Sequence, residues 1–251
     1  MAGIGFGLKK VFRGSGIFSV VRGYSLAAVV TEGPMVLMIL LLVALQQLLT
    51  GFGTPYRLRE QFLFFMTYAM IFSLLLSGTV LLFLDRFISD CIYRHRLQDV
   101  LPSFFGMVFF LLLAGAPAMG LYLLTLPVGW DVRLAVQLLF CTLLIVWVQM
   151  SCLSAVKRYG FVLLGFAAGA GTALVLAWAF LAGGMPPLTA ALRGAALGFL
   201  VLMFLYMGQL LRCYPTGGWN LLVFFPALQR YPVLLLTGFL LELGLYGHNF
   251  V

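Results

Sequence analysis

The sequence predicts an all-α, polytopic membrane bundle. Two observations carry that reading. Hydrophobic residues make up 63% of the 251 residues and charged residues only 9%, against about 45–50% and about 25% in soluble domains. Apolar stretches of spanning length then recur along the whole chain, separated by short segments of turn-forming residues. No polar stretch is long enough to build a separate soluble domain, and no strand alternation suggests a transmembrane barrel.

A spanning helix needs roughly 20 mostly apolar residues. Seven stretches meet that length, at about 25–49, 61–84, 103–126, 132–154, 160–182, 192–212 and 232–251. The breaks between the first six read TGFGTPYRLRE, LPVGWDVR, AVKRYG and AGGMPPLT, and CYPTGGWN follows the sixth. Gly and Pro in these segments end helices and make turns. Residues 1–24 mix Phe, Ile and Val with cations, as an interfacial amphipathic helix does, and their charge argues against a cleavable signal. The organisation expected is an interfacial segment at 1–24, a six-helix bundle at 25–212, a connector at 213–231 and a seventh span at 232–251. The stretch after the second span places Phe87, Ile88, Cys91 and Ile92 on one face, which predicts a second interfacial segment.

Lysine and arginine set the orientation, because cytoplasmic loops hold an excess of them. With the N-terminus cytoplasmic, the inner side holds Lys9, Lys10, Arg13, Arg22, Arg86, Arg94, Arg96, Lys157, Arg158, Arg212 and Arg230. The outer side holds Arg57, Arg59, Arg133 and Arg193. That asymmetry accounts for the net charge of +8 through anionic lipid, without a nucleic-acid partner. Arg86, Arg94 and Arg96 together form a candidate cytoplasmic docking patch.

Chemistry-bearing motifs are sparse. The chain has no GxxxxGK[ST], HExxH or GxSxG. Its two histidines, His95 and His248, fall on opposite predicted sides. The four cysteines lack CxxC spacing and read as small buried hydrophobes. The sequence thus names no catalytic residue, metal ligand or cofactor, and it is not read as an enzyme. Five of the seven acids lie in or near predicted loops; Glu32 and Glu242 do not. Glu32 is roughly 10 Å into the first span and Glu242 roughly 15 Å into the seventh. A charge at such depth is costly and is expected to face protein or water. Glu32 is followed by Gly33 and Pro34. Pro34 removes a helical hydrogen bond, and backbone freed in this way is tolerated where protein or a water-filled cavity meets it. Glu32, Gly33, Pro34, Glu242 and Gln149 are therefore the candidate transport-pathway residues. Pro117 in the third span is a second expected break. Gln46, Gln47, Gln137, Gln149 and Gln209 suit either a sugar-compatible cavity or bonds between helices. Gly165 and Gly169 form a GxxxG pattern for close helix packing.

Several blocks together resemble the Pel exopolysaccharide transporter family, the inner-membrane G component of Pel systems. They are MAGIGFGLKK, EGPMV, DRFISDCIYRHRLQDVLPSFFG, LSAVKRYGFVLLGFAAG and YPVLLLTGFLLELGLYGHNF. They span the chain in the family's order. The resemblance implies the multidrug/oligosaccharidyl-lipid/polysaccharide (MOP) exporter superfamily, whose members resemble two six-helix bundles around a central cavity. It implies a multi-pass protein of the bacterial inner membrane that exports a nascent amino-sugar polysaccharide. It also implies a cytoplasmic glycosyltransferase and membrane scaffold proteins as partners. On that pattern 25–212 is one bundle and the seventh span begins a second, so the chain reads as an N-terminal half. Glu32 departs from the family, where a small neutral residue is usual before Gly-Pro, so no role carries over to it. Alternating access between two bundles, or a conduit between them, is the expected mechanism, with a cavity lined by spans one, two and seven. The acids there could attract a cationic amino sugar or carry a coupling proton. The alternative is a scaffold that anchors a synthase complex without transporting.

Overall fold

The computed structural model describes residues 17–156, 158–215 and 220–247, with side chains from residue 33 onward. These residues form helices joined by short turns, with no strand among them. In chain order the helices are α1 (Ile17–Gly51), α2 (Tyr56–Tyr93), α3 (Val100–Thr125), α4 (Trp130–Ala155), α5 (Tyr159–Ala182), α6 (Pro187–Cys213), α7 (Phe225–Arg230) and α8 (Pro232–Tyr246). A 3₁₀ turn, Leu97–Asp99, precedes α3.

Helices α1 to α6 are long and apolar enough to cross a bilayer, and α8 is not. The 15 residues of α8 rise roughly 22 Å, short of the ~30 Å hydrocarbon core. The last four residues of the seventh apolar stretch lie outside the described residues.

α4 and α6 form the centre, each with 61% of its most apolar window buried. α6 packs along both α5 and α4, while α2 packs along α4 on one side and α8 on the other. α3 rests mainly on α4, and α1 on α5. The remaining apolar surface faces outward: Leu121, Leu134, Leu164, Val175 and Phe204 are all more than 60% exposed. Outward apolar surface on this scale needs lipid rather than water as its solvent.

Small residues set the closest approach. Gly165 and Gly169 of α5 face α6, where added side chains would meet Tyr206, Leu202 and the Gly198 carbonyl. The GxxxG pattern thus serves packing within the chain. Gly171, on the outer face of α5, has open space. Tyr206 is fully buried and its hydroxyl donates to the Val162 carbonyl at 2.5 Å, tying α6 to α5. Tyr214, just past α6, donates to the Cys152 carbonyl of α4 at 2.8 Å. Burial pushes its phenol pKa up.

The segment expected to lie on the interface after the second span instead continues α2 to Tyr93. Its apolar face exists, but protein covers it: Phe87, Ile88 and Cys91 are buried, while Ile92 is exposed. The helix then reverses sharply. His95 takes a positive φ of 56°, and the Arg96 amide donates to the Cys91 carbonyl at 2.8 Å. This is the left-handed helix stop in which glycine is the usual residue.

Candidate functional site

The residues expected to share one pathway lie on three different helices, α1, α4 and α8. Gly33 and Pro34 are buried in α1, the helix that packs on α5. The helix runs through Pro34 without interruption. Glu32 belongs to the same helix, but its side chain lies outside the described residues. Glu242 is on α8, against α2, its side chain laid over Gly78. A Cβ at Gly78 would meet that side chain, and one turn earlier on α8 a Cβ at Gly238 would meet the Gly78 carbonyl, so neither fits without movement. Gln149 is fully buried in α4. It donates to the Met203 carbonyl of α6 at 3.1 Å, and its Oε1 is buried without a partner. Gln137 likewise donates to the Ala116 carbonyl of α3 at 3.0 Å, beside Pro117. These two amides bond helix to helix, the use that polar side chains commonly have among membrane helices.

A small cleft with polar groups along one edge forms between α2 and α4. α4 carries Trp147, Ser151 and Ser154 on one face, and α2 carries Asp85 and Ser89 one turn apart. Together with Tyr159 at the start of α5 and the apolar Leu81, Met150 and Ala155, they line a cavity of about 160 Å³. The Ser151 hydroxyl donates to Asp85 Oδ1 at 2.5 Å. Ser89 donates to the Asp85 carbonyl at 2.7 Å. Trp147, almost fully buried, donates its Nε1–H to Ser73 Oγ at 3.0 Å. A carboxylate accepts hydrogen bonds, hydroxyls both donate and accept, and indole and phenol rings add flat apolar faces. Such a set suits a hydroxyl-rich ligand. The apolar run ends at residue 84, which predicts a loop at Asp85, but α2 continues to Tyr93 and keeps Asp85 within the helix. The recurrence Asp85–Ser89 against Trp147–Ser151 was the signal available in the sequence, since residues four apart share a helix face.

The cytoplasmic docking candidates gather at the end of α2. Arg86 pairs with Asp90 at 3.3 Å, and its guanidinium lies 5.8 Å from the Tyr231 ring centre. Arg94 and Arg96 line a second cavity, of about 280 Å³, with Asp90, Asp99, Arg230 and Tyr231. At the opposite end of the bundle, Arg193 pairs with Asp131. No group of three or more metal-binding side chains occurs among the described residues.

The family model for PelG, exopolysaccharide exporters (EPS-E), matches residues 1–251. No curated protein and no solved structure matches the chain. The match covers the whole sequence, so the chain belongs to the PelG family. This is a family of exporters, not of enzymes.

Proposed function

We propose that the chain, as a PelG-family membrane protein, forms part of the path by which a nascent exopolysaccharide leaves the bacterial cytoplasm. The observation that carries this reading is the family match over all 251 residues. The bundle supports it with a membrane-compatible surface and a cleft that brings Asp85, Ser89, Ser151 and Ser154 together. In this reading the protein sits in the inner membrane with its N-terminus inside. Arg86, Arg94, Arg96, Arg158, Arg212 and Arg230 all fall at one end of the helices, and Arg57, Arg59, Arg133 and Arg193 at the other. The positive-inside rule then makes the first end cytoplasmic.

Sugar hydroxyls entering from that end meet Asp85, Ser151 and Ser154, with Trp147 and Tyr159 as flat walls. α8 docks on α2 through Gly78 and Gly238 and begins a second helical bundle, as in a MOP-type exporter. Movement between the bundles opens the path alternately to each side. A glycosyltransferase on the cytoplasmic face and membrane scaffold proteins of the same system supply and hold the polymer.

The test is secretion of polymer by cells whose only copy of the protein carries Asp85→Asn or Ser151→Ala, with membrane levels held equal. Export falls several-fold in both variants if the cleft lies on the path. Unchanged export removes the cleft from the mechanism. Undiminished secretion after deletion of the gene removes the export function itself. The scaffold reading differs in one outcome: loss of the protein would lower synthase abundance, while both cleft variants would export normally.

A further inference from the structure

Two cavities of opposite chemistry adjoin the connector helix α7. One is an apolar groove of about 320 Å³ between α2 and α3, lined among others by Val80, Phe83, Met107, Phe110 and, from α7, Phe225 and Leu228. Leu76 and Thr79 of this groove also line a second apolar cavity of about 360 Å³ that continues toward Phe72 and Tyr122. The groove exists because α3 rests on α4 and meets α2 only sparingly. From Phe72 to Phe83 it follows α2 for roughly 16 Å, about the depth of one leaflet's hydrocarbon. The second kind of cavity is the cleft of Arg94, Arg96, Arg230, Tyr231, Asp90 and Asp99. α7 borders both, giving Phe225 and Leu228 to the groove and Pro226, Ala227 and Arg230 to the cleft. On α2, Phe83 lines the groove and Phe87 the cleft, one helical turn or roughly 6 Å apart. Their rings lie 6.2 Å apart.

The charges in the cleft favour an anion. Its lining holds three arginines and two carboxylates, Asp90 and Asp99, and Asp90 also pairs with Arg86 beside the cleft, so the balance of charge is positive. Arginine presents a planar fork of donors that matches a phosphate. An apolar slot at leaflet depth beside an arginine-lined cleft at the membrane boundary is complementary to an amphiphile with a negative head.

We propose that this is a binding site for one anionic phospholipid. Its phosphate sits among Arg94, Arg96 and Arg230, and an acyl chain lies in the groove between α2 and α3. The bound lipid bridges the projecting end of α2, the connector and α3. It thereby fixes the connector on which α8 is mounted.

The full chain, reconstituted with phosphatidylcholine containing or lacking phosphatidylglycerol, tests this by native mass spectrometry of retained lipid. The wild-type protein retains phosphatidylglycerol over phosphatidylcholine. R94Q/R96Q/R230Q weakens that retention by about tenfold or more, whereas Arg57→Gln at the opposite end leaves it unchanged. Excess inorganic phosphate does not displace the lipid, because the acyl chain contributes to binding. Should the triple variant fold poorly in phosphatidylcholine alone, R230Q by itself gives a smaller loss in the same direction. Equal retention by wild-type and R230Q proteins overturns the proposal, as does equal loss in the Arg57→Gln protein. Loss of polymer secretion in the triple variant with lipid retention intact would assign the arginines to a protein partner and also overturn it. None of these readouts depends on whether the protein exports a polysaccharide.

Discussion

Replacing Gly194 with alanine should prise α5 and α6 apart. A Cβ at Gly194 would stand 2.6 Å from the Ala177 amide nitrogen and 2.7 Å from its Cα, against 3.4 Å for the start of ordinary contact. These are backbone atoms, so no rotamer change relieves the clash, and the helices must separate by about 0.7 Å. A gap of ~0.5–1 Å forfeits a quarter to a half of each dispersion contact of ~0.1–0.2 kcal/mol. If the seam holds roughly forty such contacts, as many as one buried leucine makes, the loss is about 1–4 kcal/mol, which spans the range measured for overpacked cores. Alanine also gains up to ~1 kcal/mol over glycine in a helix interior. Gly171→Ala supplies that gain alone, because Gly171 faces open space on α5. The assay is the thermal midpoint of both purified variants in one detergent. Gly194→Ala should melt several degrees below Gly171→Ala. Equal midpoints would refute the claim that backbone contact at Ala177 sets the spacing of the two helices.

Two further outcomes follow from single contacts. Tyr206→Phe deletes the buried hydroxyl that donates to Val162 and should cost about 0.5–1.5 kcal/mol, read from the same melting assay; Tyr56→Phe at an exposed site should cost nothing measurable. His95→Gly relieves the left-handed backbone at the end of α2 and should raise stability by about 1 kcal/mol. A lower midpoint for that variant would mean that the imidazole, not the turn, holds the reversal in place.

The sequence alone determined the class of protein and the positions of six helices. Bilayer thickness and turn chemistry act locally, and apolar length needs no knowledge of neighbours. It also determined which cations share an end, because helices that alternate in direction send every second loop to the same side. The resemblance of its sequence blocks pointed to the exporter family that the full-length match assigns. Tertiary structure alone decided what the polar residues face. Glu242 lies over Gly78 because two glycines let α8 cross α2 closely. Gln149 serves α6 because the α4 face that carries it is the one turned to the centre. Asp85 and Ser151 are 66 positions apart in the chain. They meet because α2 continues past its apolar run to Tyr93 and lies along α4. Hydropathy marks where a helix enters lipid. It carries no information about rotation around the helix axis, and in a bundle that rotation decides which side chains meet.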